Sequence, residues 1–114
     1  MGAITTHVLD TSRGRPAAYV PVALDRQGEI GGWETIGRGE TDADGRLQSL
    51  MPAEADLAPG TYRLTFDVAG YFSSHGVPAF YPTITIVFET AEGESHYHVP
   101  LLLSPFGYST YRGS

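Results

Sequence analysis

Apolar and polar residues alternate with a period of two along most of this chain, which is the pattern of half-buried strands. In AAYVPVALD, Ala18, Val20, Val22 and Leu24 share one face, with Tyr19, Pro21, Ala23 and Asp25 on the other. In TYRLTFDV, Tyr62, Leu64, Phe66 and Val68 alternate with Thr61, Arg63, Thr65 and Asp67. TITIVFE sets Ile84, Ile86 and Phe88 against Thr83, Thr85 and Val87, and HYHVPLLL sets Tyr97, Val99, Leu101 and Leu103 against His96, His98, Pro100 and Leu102. Turn signals separate the runs: Gln27-Gly28, Gly31-Gly32, the DADG of residues 42–45, Pro59-Gly60 and Glu92-Gly93. A turn or two of helix is expected only near Ala69 to His75, with Tyr71 and Phe72 packing down. Seven or eight short strands of this kind predict an antiparallel β-sandwich. Pro21 and Pro100 donate nothing to a ladder, so edge positions or bulges are expected there.

One strand departs from simple alternation. In HYHVPLLL the face that carries His96 and His98 also carries Leu102. Apolar residues on both faces predict a second buried surface outside the sandwich core, and a subunit interface is the simplest account of it.

Composition then narrows the chemistry. The 114 residues suit one domain spanning 1–114, and a 41% hydrophobic fraction suffices for its core. No apolar run approaches the ~20 residues that cross a bilayer, and no signal peptide is recognised, so the cytosol is the expected compartment. There is no cysteine, which excludes disulfides, thiolate nucleophiles and Cys-ligated metals. All seven basic residues are Arg, which excludes a Schiff-base or phosphate-loop lysine. The net charge of −6 argues against a nucleic-acid partner. What remains is His, Asp/Glu, Arg, Ser/Thr and Tyr.

His96 and His98 lie two apart and point the same way on a strand. With His7 as a third ligand they would suit zinc, but a metal-free acid–base role is the stronger reading, since imidazole titrates near neutrality. His7 sits among β-branched residues in ITTHVLD, and Arg46 directly follows the DADG turn. Taken alone, each reads as an ordinary strand or surface residue. A guanidinium facing a site would suit adjacent carbonyl or enolate oxygens. DADG is not a calcium loop, because its fifth position is Arg46 and its glycine comes too early. GGWETIGRG lacks a phosphate loop's lysine, no GxSxG elbow supports a serine hydrolase, and His75 reads as structural.

ITTHVLDTSRGRPA, TDADGR and HYHVPLLLSPFGYSTYRGS together closely resemble the transthyretin-like family, in particular its 5-hydroxyisourate hydrolase branch. The resemblance spans the chain, and the ending YRGS is its most specific mark. The hormone-carrying members lack the histidines matching His7 and His98 and the arginine matching Arg46. The resemblance implies an eight-stranded sandwich of two four-stranded sheets with one short helix. It also implies a homotetramer, a dimer of dimers, whose central channel holds sites at subunit interfaces.

The implied reaction is hydrolytic ring opening of 5-hydroxyisourate to 2-oxo-4-hydroxy-4-carboxy-5-ureidoimidazoline, within urate degradation. His7, Arg46, His98 and Ser114 carry over as catalytic residues, and His7, Arg46, Tyr111 and Arg112 as substrate contacts. One histidine, His7 or His98, deprotonates water; Arg46 stabilises the developing oxyanion; Ser114 and the other histidine orient water or protonate the departing nitrogen. No cofactor, metal or membrane is implied. The rival readings are a transthyretin-like carrier, an adhesive β-sandwich and a metalloenzyme.

Overall fold

The alternating runs become nine strands and one helix in the computed structural model, which describes residues 2–52 and 54–114. Strands β1 (Ile4–Asp10), β2 (Arg15–Pro16), β5 (Arg46–Leu47), β8 (Tyr97–Ser104) and β9 (Gly107–Thr110) form one sheet in the order β2-β1-β8-β9, with β5 also paired to β1. Strands β3 (Pro21–Gln27), β4 (Trp33–Glu40), β6 (Gly60–Asp67) and β7 (Thr83–Thr90) form the second, in the order β4-β3-β6-β7. Helix α1 (Ala69–Ser74) links β6 to β7.

Most residues that alternation assigned to the inner faces are buried between the sheets; Ala18, outside any strand, and Phe88 are partly exposed. Val22, Leu24, Tyr62, Leu64, Phe66 and Ile84 of the second sheet meet Ile4, Val8, Val99, Leu101 and Leu103 of the first. Each fully buried large side chain contributes roughly 1.5–3 kcal/mol by leaving water. The helix adds Tyr71 and Phe72 to this core and ends at Gly76, whose φ of 66° closes the turn where side chains are disfavoured. The Tyr71 hydroxyl donates to buried Asp10 at 2.7 Å, tying the helix to the end of β1.

Several features differ from the sequence expectation. β1 and β8 run parallel, from Ile4↔Tyr97 to Asp10↔Leu103, within an otherwise antiparallel fold. Alternation specifies which face a residue takes, and carries no information on strand direction. The first sheet also gains two-residue strands, β2 and β5, too short for a periodic signal. Pro21 opens β3, as a strand proline should. Pro100 instead lies in β8, between β1 and β9. There the β8–β9 ladder stops at Leu101↔Thr110 and resumes only as an isolated bridge, His98↔Gly113. The Thr110 hydroxyl, 2.7 Å away, donates to the Pro100 carbonyl across the gap.

Candidate active site

The strand registers decide which polar side chains meet on the outer face of the first sheet. His7 lies opposite Arg46 of β5, and Thr5 opposite His98 of β8. His7 and Thr5 are two apart on β1 and share a face, so the four side chains gather on one surface.

Each is held by local structure. The turn before β5 is built by Asp42, whose carboxylate accepts from the Asp44 amide at 2.9 Å and the Arg46 amide at 3.0 Å. Gly45 adopts φ 76° there, and its carbonyl accepts from the Val8 amide at 2.8 Å. This turn brings the Asp44 carbonyl to 2.9 Å from His7 Nε2. A carbonyl only accepts, so His7 carries a proton on Nε2 and its Nδ1 faces away from the contact. Arg46 is exposed and, among the described residues, forms no ion pair.

His98 is half-buried, with Nδ1 2.8 Å from the hydroxyl of buried Thr5. The same hydroxyl lies 3.2 Å from His96 Nε2. On its other side the His98 ring abuts Gly113, where a Cβ would sit only 2.7 Å from His98 Cδ2. The Gly113 amide donates to the His98 carbonyl at 2.8 Å. Burial holds the His98 pKa below the ordinary imidazole value, and its neighbours His7, His96 and Arg46 push it the same way. At neutral pH His98 is therefore an uncharged imidazole beside a guanidinium, a pairing suited to proton abstraction and oxyanion stabilisation.

The structure thus brings His7, Arg46 and His98 together. Ser114 follows Gly113 and is exposed. Tyr111 and Arg112 go elsewhere: the chain leaves the ladder at Pro100, and both line a groove of about 470 Å³ with Ile86, Phe88, Tyr97 and Val99. The Arg112 guanidinium stacks 4.6 Å from the Tyr97 ring centre and lies 3.6 Å from Glu94. Sequence reasoning passed over Thr5, Asp42, Asp44 and Gly113, whose roles depend on pairings that no local motif announces. Among the described residues, no group of three or more His, Asp or Glu is arranged to hold a metal ion. A separate cavity of about 800 Å³ takes only His96 from the histidine cluster and is lined by Glu54, Asp56, Glu92 and Glu94 among others.

A model of the HIUase/transthyretin family matches residues 4–113. The chain is 48% identical to 5-hydroxyisourate hydrolase 2 of Rhizobium meliloti, over 99% of its length and 97% of the relative's. Among solved structures, Klebsiella pneumoniae 5-hydroxyisourate hydrolase matches with a TM-score of 0.85 and 38% identity, over all of both chains. Sea bream transthyretin in complex with thyroxine matches with a TM-score of 0.91 and 35% identity, over 97% of this chain and 94% of that one.

Proposed function

The chain belongs to the HIUase/transthyretin family, and on that premise we propose that it hydrolyses 5-hydroxyisourate, a step of urate degradation. Backbone similarity alone does not choose between hydrolase and carrier, because the transthyretin match is as good as the hydrolase match. The side-chain chemistry and the named hydrolase relatives support the hydrolase reading. The observation that carries the reading is a half-buried His98, its pKa lowered chiefly by burial, on the same face as His7 and Arg46.

In the proposed reaction His98 Nε2 takes a proton from water as the water oxygen bonds to the ring carbonyl carbon. Arg46 stabilises the negative charge that develops on the carbonyl oxygen. The tetrahedral carbon then expels the ring nitrogen; the carbon–nitrogen bond breaks, a carboxylic acid forms and loses its proton to solvent, and His98 returns its proton to the departing nitrogen. His7, fixed by the Asp44 carbonyl, holds the substrate against Arg46. Ser114 is assigned to the attacking water, since Gly113 before it packs on His98. Tyr111 and Arg112 are assigned a supporting part: their packing beside Tyr97 and Val99 fixes the segment that carries Gly113 and Ser114.

The active form is proposed to be a homotetramer of single-domain chains, in the cytosol. Three features support assembly. The histidine face is open in one chain and needs a second wall. β7 and β9 end their sheets with unpaired edges. Phe80 and Phe106, each 69% exposed, form an apolar surface near them with Tyr81 and Tyr108.

The test is the ultraviolet decay of 5-hydroxyisourate made in place by urate oxidase. Wild-type protein should accelerate it, and His98→Asn and Arg46→Ala should each lose most of that acceleration. A variant with full turnover removes its residue from the scheme.

A further inference from the structure

Thr5 is a buried hydroxyl with two imidazole nitrogens in reach, His98 Nδ1 at 2.8 Å and His96 Nε2 at 3.2 Å. A hydroxyl has one proton, so it donates to one partner and accepts from the other. The two arrangements have opposite consequences. If Thr5 donates to His98 Nδ1, the neutral His98 ring carries its proton on Nε2 and cannot accept another there. If Thr5 donates to His96 Nε2, it accepts from His98 Nδ1–H, and His98 Nε2 stays bare.

We infer that Thr5 is a positioning residue which, by donating to His96, holds the His98 proton on Nδ1 and leaves Nε2 free as the base. The inference rests on the proposed hydrolysis for its catalytic meaning, but the tautomer itself is a property of the resting protein. Its geometry is well determined by the fold. Thr5 and His98 are register partners on the parallel β1–β8 pair, and Gly113 closes the far side of the His98 ring. The ring therefore cannot flip to exchange its nitrogens without breaking these contacts. His96, the other end of the relay, shares its cavity with Glu54, Asp56, Glu92 and Glu94. His98 is faced by His7 from β1 and Arg46 from β5. Among the described residues, no carboxylate takes the orienting place that Thr5 occupies at Nδ1.

The experiment is ring ¹⁵N–¹H NMR of histidine-labelled protein, wild type, Thr5→Val and Thr5→Ser, with decay kinetics on the same samples. Valine keeps the β-branched shape and removes the hydroxyl. Wild type at neutral pH should show His98 protonated on Nδ1. Thr5→Val should shift His98 toward the Nε2–H form and lower kcat roughly tenfold at unchanged KM, the worth of one buried hydrogen bond. Thr5→Ser should stay within about twofold of wild type on both readouts. A wild-type His98 carrying its proton on Nε2 overturns the inference without any variant, as does a folded Thr5→Val that keeps the wild-type tautomer and rate. Absence of turnover in the wild type would instead remove the hydrolase reading, while the NMR result still judges Thr5.

Discussion

Gly113→Ala isolates the geometry of His98 more cleanly than removing the histidine. The added Cβ would lie 2.7 Å from His98 Cδ2 and 3.3 Å from its Cγ and its carbonyl oxygen. Carbon–carbon contacts settle near 3.5–4.0 Å, so the ring and the terminal segment must separate by about 1 Å. Neither can do so freely, because the Gly113 amide holds the His98 carbonyl at 2.8 Å and Thr5 holds Nδ1 at 2.8 Å. Either the imidazole leaves Thr5 or the segment moves away with Ser114. A misplacement of about 1 Å can cost on the order of 10²-fold in rate, so kcat should fall between about 10- and 100-fold. Stability should barely change, since Gly113 lies outside the core and no left-handed φ is involved. Initial rates of 5-hydroxyisourate decay, with a urea melt on the same preparation, give both readings. A folded alanine variant with wild-type kcat would refute the claim that His98 is a precisely held base.

Other expectations concern the parts that support this ring. Gly45→Ala places a Cβ against the Val8 carbonyl at φ 76°; it should cost about 1–3 kcal/mol in a urea melt and lower turnover as Arg46 shifts. With its pKa held down by burial and then by neighbouring positive charge, His98 is active when unprotonated. The acid limb of kcat/KM should therefore have its midpoint below the ordinary imidazole value of about 6.5; a midpoint above it contradicts the assignment. Tyr71→Phe removes a donor from buried Asp10 and should destabilise by roughly 1–3 kcal/mol at pH 7. Burial raises the Asp10 pKa, but hydrogen bonds from Ser12, Tyr71 and Arg13 outweigh it and leave the pKa lowered. That stability is present above the unfolded carboxylate pKa and is lost as pH falls through the folded one. The Tyr71→Phe penalty measured by urea melts should accordingly shrink in strong acid.

The sandwich was legible because burial writes a period of two into each strand, so Leu64, Phe66, Leu101 and Leu103 could be assigned inward from their neighbours alone. Strand partnership was not. Thr5 and His98 are 93 residues apart, and their contact depends on a parallel register that alternation does not encode. His96 and His98 were visible as a same-face pair; that Thr5 lies between them was not. The direction of Tyr111 and Arg112 depends on the lapse of the β8–β9 ladder opposite Pro100, which no local motif announces. The family resemblance supplied His7, Arg46 and His98 as a set, and the registers give the physical reason they form one.

The central claim is turnover, and a dilution series tests it most directly. Wild-type protein is added at far below the concentration of freshly made 5-hydroxyisourate, and the ultraviolet signal is followed. Many turnovers per chain are expected, with a decay rate proportional to protein concentration. Decay at the spontaneous rate, or slowed in proportion to the protein present, would contradict it and identify a channel that holds its ligand without opening the ring.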